Sequence, residues 1–340
     1  MTGFCTSPRF VDHATGAHHP ERPDRVRAIA TAARQAGLID SPTPFSDFEI
    51  DFGLRRLDAP NLVELDPAPV DEAALRFVHD ARHVERVRRV CETGGGVLDQ
   101  GDTRVGPESY DVARLAAGGV VRCCDAVMNG LVRRAFAAGR PPGHHAEPDR
   151  AMGFCLFNNI AIAARRLQRV HGIGRVAIVD FDVHHGNGTQ AVFENDPSVL
   201  FISLHQDPRT LWPRTGFALE TGTGAGEGYT LNIPFEPGAG DEEYARAFES
   251  HVIPRLEAFR PEFLLISAGF DAHHDDPLAD MRLTEDAFEW MTRELVGVAD
   301  RHCAGRVVSS LEGGYDLRAL GRCAVRHLVA LDGPADLRTQ

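Results

Sequence analysis

The sequence predicts an α/β fold with a mostly parallel central sheet and helices packed on both faces. Two observations carry this. Short apolar, β-branched runs such as Val176 to Val179 and Phe263 to Ile266 recur along the chain, each followed by a segment whose apolar residues repeat at helical spacing. Such alternation implies crossover helices and therefore parallel strands. The second observation is where the unusual polar clusters fall: His144-His145, Asp180 to His184, Asp271 and Gly313-Gly314-Tyr315 each follow directly on a predicted strand. In parallel sheets ligands bind beyond the carboxyl ends of the strands, so these clusters should share one rim.

Taken in order, His19-Pro20-Glu21-Arg22-Pro23 is a rigid turn feeding a helix over Asp24 to Ala36, with Val26, Ile29 and Ala33 on one face. Arg25 sits in its first turn, the unfavourable end of the helix dipole for a cation, which gives its side chain reason to find a partner elsewhere. Ser41 to Pro69, rich in Pro and Asp, reads as irregular connection, and Asp71 to Val90 as a helix broken by Gly94-Gly95-Gly96. A polar loop over Asp99 to Pro107 leads to a long helix, Glu108 to Met128. Leu131 to Ala138 is a strand running into Arg140-Pro141-Pro142-Gly143-His144-His145, where the double proline excludes helix and places the His pair on a stiff loop. A Gly153-Phe154-Cys155 turn precedes the helix Asn158 to Val170. After the strand Val176 to Val179, the glycines Gly186 and Gly188 turn the chain into a helical Gln190 to Asn195. Strands follow at Ser198 to Ser203, Tyr229 to Ile233, Phe263 to Ile266 and Arg306 to Ser309, and helices at Asp241 to Phe259, Thr284 to His302 and Leu317 to Leu331. No repeat or linker divides the chain, so residues 1–340 read as a single domain.

Composition narrows the function. A formal charge of -13 argues against nucleic acid as a partner, because phosphate binding needs clustered basic groups. All 36 basic residues are arginine, which removes Schiff-base lysine chemistry and the phosphate-binding loop that depends on a lysine. Gly222 to Gly228 alternates glycine with other residues, but Glu227 stands where a dinucleotide fingerprint has its third glycine, and a strand follows rather than a helix. Seven scattered cysteines without a C-x-x-C pair read as reduced thiols. The absence of a signal pattern or an apolar run long enough for a bilayer gives a cytoplasmic expectation, with no membrane partner.

The chemistry concentrates in Asp180-Phe181-Asp182-Val183-His184. At a side-chain period of two, an extended backbone points Asp180, Asp182 and His184 to one side, and two carboxylates with an imidazole call for a cation. A mononuclear hydrolytic metal site leaves a position open for water or substrate, and Asp182, His184 and Asp271 would supply its ligands. His144 and His145 would then act as general base and acid, with Asp180 and Asn187 available to fix their tautomers. Tyr315, freed by two glycines, would donate to the developing oxyanion.

These residues make the chain recognisable. It resembles the histone deacetylase superfamily, zinc-dependent deacetylases of an arginase-like α/β fold, from about His19 to about Leu331. The resemblance is carried by Arg-Pro-Pro-Gly-His-His-Ala-Glu, Gly-Phe-Cys, Asp-Phe-Asp-Val-His-His-Gly-Asn-Gly-Thr-Gln, Ser-Leu-His, Ala-Gly-Phe-Asp-Ala and Glu-Gly-Gly-Tyr, in that order. Arg-Pro-Pro-Gly before the His pair and Asn187 look like the class II branch and its bacterial relatives, the histone deacetylase-like amidohydrolases and acetylpolyamine amidohydrolases.

The resemblance implies one zinc on Asp182, His184 and Asp271, with Fe2+ as the other candidate metal, His144 held by Asp180, and His145, held by the neutral Asn187, as principal proton shuttle. It also implies potassium at Asp180, Asp182, His184, Ser203 and Leu204, and allows a second near Phe193, Asp196, Val199 and Tyr229. Gly153, Phe154, Trp212 and Leu278 fall where the family forms its substrate channel, Trp212 replacing the commoner Phe, and Arg25 matches an arginine beside the acetate cavity. The polyamine branch carries an acidic gatekeeper where this chain has Leu278, which favours an acylated lysine over an acylated small amine. Asp102 and Thr103 lie where relatives grip the substrate backbone, with a plain loop as the default reading. His273 and His274 read as rim residues rather than ligands, and Arg209 and Arg214 as solvated surface rather than an anionic-acyl site.

The expected activity is zinc-dependent hydrolysis of N-acyl amides, most simply N-acetyl-lysine of proteins or peptides. The alternatives are an acetylpolyamine deacetylase and, from another class, a non-catalytic acyl-lysine reader. A two-metal ureohydrolase is disfavoured, because His273 occupies the place of its second aspartate. A homo-oligomer is compatible with the sequence.

Overall fold

A computed structural model describes residues 1–40, 45, 48–57 and 62–333. In chain order its regular elements are β1 (Thr2–Cys5), α1 (Asp24–Gln35), β2 (Val63–Leu65), α2 (Glu72–Leu75), α3 (Ala81–Glu92), β3 (Gly96–Val97), β4 (Arg104–Val105), α4 (Ser109–Met128) and β5 (Arg134–Ala137). They continue with α5 (Asn159–His171), β6 (Val176–Asp180), α6 (Asn187–Phe193), β7 (Val199–Gln206), β8 (Thr230–Phe235), α7 (Asp241–Ala247), α8 (Ile253–Phe259), β9 (Phe263–Ala268), α9 (Glu285–His302), β10 (Val307–Leu311) and α10 (Leu317–Asp332).

Among the described residues the main sheet has eight strands in the order β2-β1-β5-β10-β9-β6-β7-β8, every neighbouring pair parallel. Strand alternation divides the core. In β6, Ala177 and Val179 pack with α1, α9 and α10, whereas Val176 and Ile178 pack with α4 and α5. Both sheet faces are thus covered, as the uninterrupted apolar strands require. Among the described residues, no helix is long and apolar enough to cross a membrane.

Three expectations need correction. The stretch Ser41 to Pro69 is not all irregular: it contains β2, paired to β1, while residues 41–44, 46–47 and 58–61 lie outside the described residues, as do 334–340 of the expected single domain. The helix expected over Asp71 to Val90 is two helices, α2 and α3. The chain breaks between them so that buried His79 can donate from Nδ1 to the Glu147 carbonyl (3.0 Å) and accept at Nε2 from the Asn158 N–H (2.8 Å). The polar loop after Gly96 is the tip of a small antiparallel hairpin, β3 with β4.

Candidate active site

The sheet order puts β9 and β6 side by side at its centre, with Asp180 opposite Ser267. Just beyond those strand ends Asp182, His184 and Asp271 converge. The His184 Nδ1 lies 3.1 Å from Asp182 Oδ1 and 3.2 Å from Asp271 Oδ2, and the three side chains can together hold a metal ion. Their closeness depends on two glycines: a Cβ at Gly269 would lie 2.1 Å from Asp182 Oδ2, and one at Gly313 2.0 Å from Asp271 Oδ2. Backbone N–H groups fix the outer carboxylate oxygens, Gly313 donating to Asp182 (2.7 Å) and Val183 to Asp271 (3.0 Å).

The donor set fits a zinc ion. Burial alone would lower the pKa of His184, but Asp182 and Asp271 outweigh it and push it up to about 10. Two buried carboxylates that bind a proton on the intervening imidazole so strongly carry negative charge that a cation bound by oxygen and nitrogen donors neutralises.

The two adjacent histidines differ by their partners. His144 donates from Nδ1 to Asp180 Oδ2 at 3.0 Å, and His145 donates from Nδ1 to the Asn187 amide oxygen at 2.8 Å. Both are buried. For His144 the burial that disfavours the cation is overcome by Asp180 and Asp182, raising it to about 10. For His145 burial, reinforced by the positive character of His144 and His184, drives the pKa well below the ordinary value. Asn187, at the start of α6, cannot compensate because it is uncharged. Burial raises Asp180 to about 6 and keeps the Tyr315 phenol far above its usual range, so Tyr315 stays protonated.

Gly153, Phe154, Trp212, Leu278, Tyr315, His145 and His184 line one cavity of about 410 Å³, with Pro20, Leu211 and Asp102 also in its wall. Trp212 stands edge-on to His145 at 4.6 Å and Phe154 to Tyr315 at 6.0 Å, so an aromatic ring packs against each of these two polar residues of the wall. Asp102 is therefore part of the mouth rather than a plain loop. Thr103 is not: it is buried, donates to Asp99 Oδ2 (2.6 Å) and accepts from the Phe154 N–H (3.1 Å).

Arg25 is buried beneath Tyr315, its guanidinium carbon 4.9 Å from the ring centroid. It donates to the carbonyls of Gly314 (2.7 Å) and Glu312, and it pairs with Glu21 (3.3 Å), the partner that its place in the helix demanded. Of the residues expected around the first potassium, Asp180 ends β6, Asp182 and His184 follow it in a bend, and Ser203 and Leu204 lie on the adjacent β7. Around the second, the carbonyls of Phe193, Asp196 and Tyr229 each already accept one backbone N–H.

His273 is not on the rim. It is buried and stacked on the more exposed His274 at 4.2 Å. With Asp275 these two form a second group able to hold a metal, but His273 Nδ1 accepts from the Asp275 N–H (3.1 Å) and the Arg322 guanidinium stands 3.7 Å from Asp275 Oδ2, so the group is already compensated. Arg209 is tied to Asp207 and Glu236, and Arg214 donates to the Arg209 carbonyl.

Three buried residues were not singled out from the sequence. Glu312 accepts from the N–H groups of Gly143 (2.7 Å) and His144 (3.1 Å) and so holds the loop of the His pair. Glu21 and Arg140 form a two-pronged ion pair at 2.7 and 2.6 Å. Arg140 and Glu312 open the motifs Arg-Pro-Pro-Gly and Glu-Gly-Gly-Tyr, and Glu21 sits in His-Pro-Glu-Arg-Pro, but nothing in the sequence says what each of them meets.

Comparison with known proteins decides the family. The histone deacetylase domain model matches residues 19–331. The chain belongs to the histone deacetylase family. A histone deacetylase-like amidohydrolase of Pseudomonas aeruginosa is 41% identical over 332 residues, covering 98% of this chain and 86% of that one. A probable deacetylase of Methanothermobacter thermautotrophicus is 43% identical over 316 residues, 93% of this chain and 86% of its own. A crystal structure of the HDA15 HD domain superposes with a TM-score of 0.87 at 38% identity, covering 97% of this chain and 88% of that one. The protein is accordingly a deacetylase-type hydrolase acting on acyl amides, of a zinc-dependent family.

Proposed function

We propose that this deacetylase hydrolyses the side-chain amide of Nε-acetyl-lysine in proteins or peptides. The observation that carries the reading is a mostly apolar cavity whose wall includes Phe154, Trp212 and Leu278 and which reaches His184 of the Asp182, His184 and Asp271 group. A cavity of that kind admits an uncharged acylated butylamine chain, and Leu278 offers nothing to a second ammonium group, which argues against an acylated polyamine.

Zinc held by Asp182, His184 and Asp271 would polarise the amide carbonyl and make water acidic enough to attack. His145, kept neutral with its Nδ1–H on Asn187, turns its Nε2 lone pair to the cavity and takes the proton from the attacking water. The water oxygen bonds to the carbonyl carbon, and the Tyr315 hydroxyl donates to the oxyanion that results. As the C–N bond breaks, the proton passes from His145 to the departing amine, giving acetate and lysine. His144, held toward the cation by Asp180, contributes positive charge beside that step. We assign one structural potassium to Asp180, Asp182, His184, Ser203 and Leu204, and a second to the neighbourhood of Phe193, Asp196, Val199 and Tyr229. We also assign to Arg25, beneath Tyr315, the acetate-cavity role that the resemblance implies, with its guanidinium held by Gly314, Glu312 and Glu21.

The test is turnover by the zinc-loaded enzyme on an acetyl-lysine peptide and on N-acetylputrescine. Higher kcat/KM on the peptide supports the proposal, and higher kcat/KM on the polyamine replaces it with the alternative. Tyr315→Phe should lower kcat by about 10²–10³ with bound zinc unchanged; wild-type rates in this variant would remove Tyr315 from the mechanism.

A further inference from the structure

We infer that His19 is a positioning residue that sets the mouth of the channel, fixing the rim aspartate and the aromatic Phe154 at the same time. The inference rests on the acyl-lysine reading above and says how the enzyme would select the peptide around that side chain.

Three contacts make the argument. His19 Nδ1 meets both the N–H (3.1 Å) and the carbonyl (3.0 Å) of Glu21, while Nε2 faces only the carbonyl of Asp102, an acceptor that requires the ring proton on that nitrogen. That Nε2–H then donates to the backbone carbonyl of Asp102 at 3.0 Å, across 83 residues of sequence. The same ring stands edge-on to Phe154, 4.6 Å between centroids at 75°. His19 is buried, Asp102 is exposed, and the cavity wall includes Pro20, Asp102 and Phe154 but not His19. The ring therefore lies behind the mouth, touching both of its sides without lining it.

Asp102 occupies the tip of the short hairpin of β3 with β4, which Asp99 braces from within by accepting from Gly101 and Thr103, so what His19 adds is a tie from that tip to the other side of the mouth. Phe154 has a left-handed backbone (φ 66°), which a non-glycine residue keeps only when its surroundings impose it. The Thr103 hydroxyl holds the Phe154 N–H, and His19 holds the ring and the neighbouring carbonyl. Together they lock the hairpin tip to the turn after the His pair. A substrate whose backbone reaches the Asp102 carboxylate feels that lock, whereas one that ends at the acylated butylamine does not. His19 thus converts a generic acyl-amide site into one that distinguishes a peptide from a bare acylated amine.

The experiment compares zinc-loaded wild type, His19→Ala, His19→Gln and His19→Phe on an acetyl-lysine peptide and on N-butylacetamide, the same side chain without a backbone. The readout is the ratio of the two kcat/KM values. In His19→Ala the ratio should fall roughly threefold to tenfold, through peptide KM rather than kcat, the size expected for one hydrogen bond and its rim contact. His19→Gln keeps a donor near the Nε2 position and should restore the ratio to within about twofold. His19→Phe keeps the aromatic edge and should not restore it. An unchanged ratio in His19→Ala, equal losses of kcat on both substrates, or rescue by Phe instead of Gln would each overturn the inference. If wild type hydrolyses neither substrate, the hydrolase reading fails separately, and calorimetric affinity for the peptide across the same four proteins decides the role of His19.

Discussion

Replacing Glu21 by Gln tests the charge network under Tyr315. Glu21 takes two bonds from Arg140, at 2.7 and 2.6 Å, and one from Arg25 at 3.3 Å, and none of the three side chains is exposed. The neutral amide leaves two buried guanidinium groups facing a single acceptor oxygen. Breaking a buried pair in this way costs about 3–5 kcal/mol. The carboxyl itself gives a second route to the number. Burial would raise its pKa, but Arg140, helped by His13 and Arg25, lowers it from 4.5 to about 2, and a depression of that size corresponds to about 3 kcal/mol. Because the folded value is the lower one, this stability is complete above the unfolded pKa and disappears as pH falls through the folded one, so about 2 kcal/mol of it is lost between pH 5 and pH 3. At about 2.1 cal/mol/K per residue over 340 residues, the variant should melt about 4–7 °C below wild type at neutral pH, and the gap should narrow on acidification. Melting followed by circular dichroism at pH 7, 5 and 4 measures this. A gap under 1 °C at pH 7, or one that widens toward pH 4, would refute the reasoning.

Other expectations follow from the same geometry. Chelation should abolish turnover, and added zinc should restore it, whereas Asp271→Ala, which removes the proposed ligand that follows a different strand from the other two, should prevent that recovery; metal analysis of the purified variant checks it. Leu278→Glu should raise the rate on N-acetylputrescine relative to an acetyl-lysine peptide by about tenfold, since a carboxylate in the cavity wall pairs with the free ammonium group; an unchanged ratio would show that Leu278 does not set amine preference. Gly118→Ala places a Cβ 1.8 Å from the Ala68 carbonyl oxygen, where α4 passes the chain after β2, and should cost about 1–3 kcal/mol by overpacking, seen as a lower urea midpoint.

The candidate site was more legible in the sequence than the fold around it, and the reason is local geometry. Asp180, Asp182 and His184 announce a polar cluster, although not by the expected extended run: β6 ends at Asp180, which turns to His144, and a bend brings Asp182 and His184 together, while glycines beside Asp271 and Tyr315 advertise close approach. Nothing comparable marks β1 and β2, whose four and three residues are too few to show a period and whose pairing is decided by a remote strand. The break between α2 and α3 was hidden because His79 is drawn inward by Glu147 and Asn158, groups about 70 residues and more away. Glu21 and Arg140, 119 residues apart, form their pair only once the sheet is assembled. His273 misled because its position after Asp271 suggests the rim, while its pairing with Leu283 turns it under the surface.

The strand order has a consequence for how the protein is made. The halves β2-β1-β5 and β6-β7-β8 are synthesised first, yet in the finished sheet they do not touch: β10 and β9, the last strands to leave the ribosome, are inserted between them. Until then the nascent chain carries two open edges, β5 and β6, that the finished sheet does not have, and only part of its chemistry, with Asp182 and His184 waiting for Asp271 and Tyr315. Such long-range pairing is slow, and unpaired edges invite aggregation in the meantime. Metal capture is therefore tied to closing the centre of the sheet, and a chain truncated before β9 would have neither a continuous sheet nor a complete place for the ion.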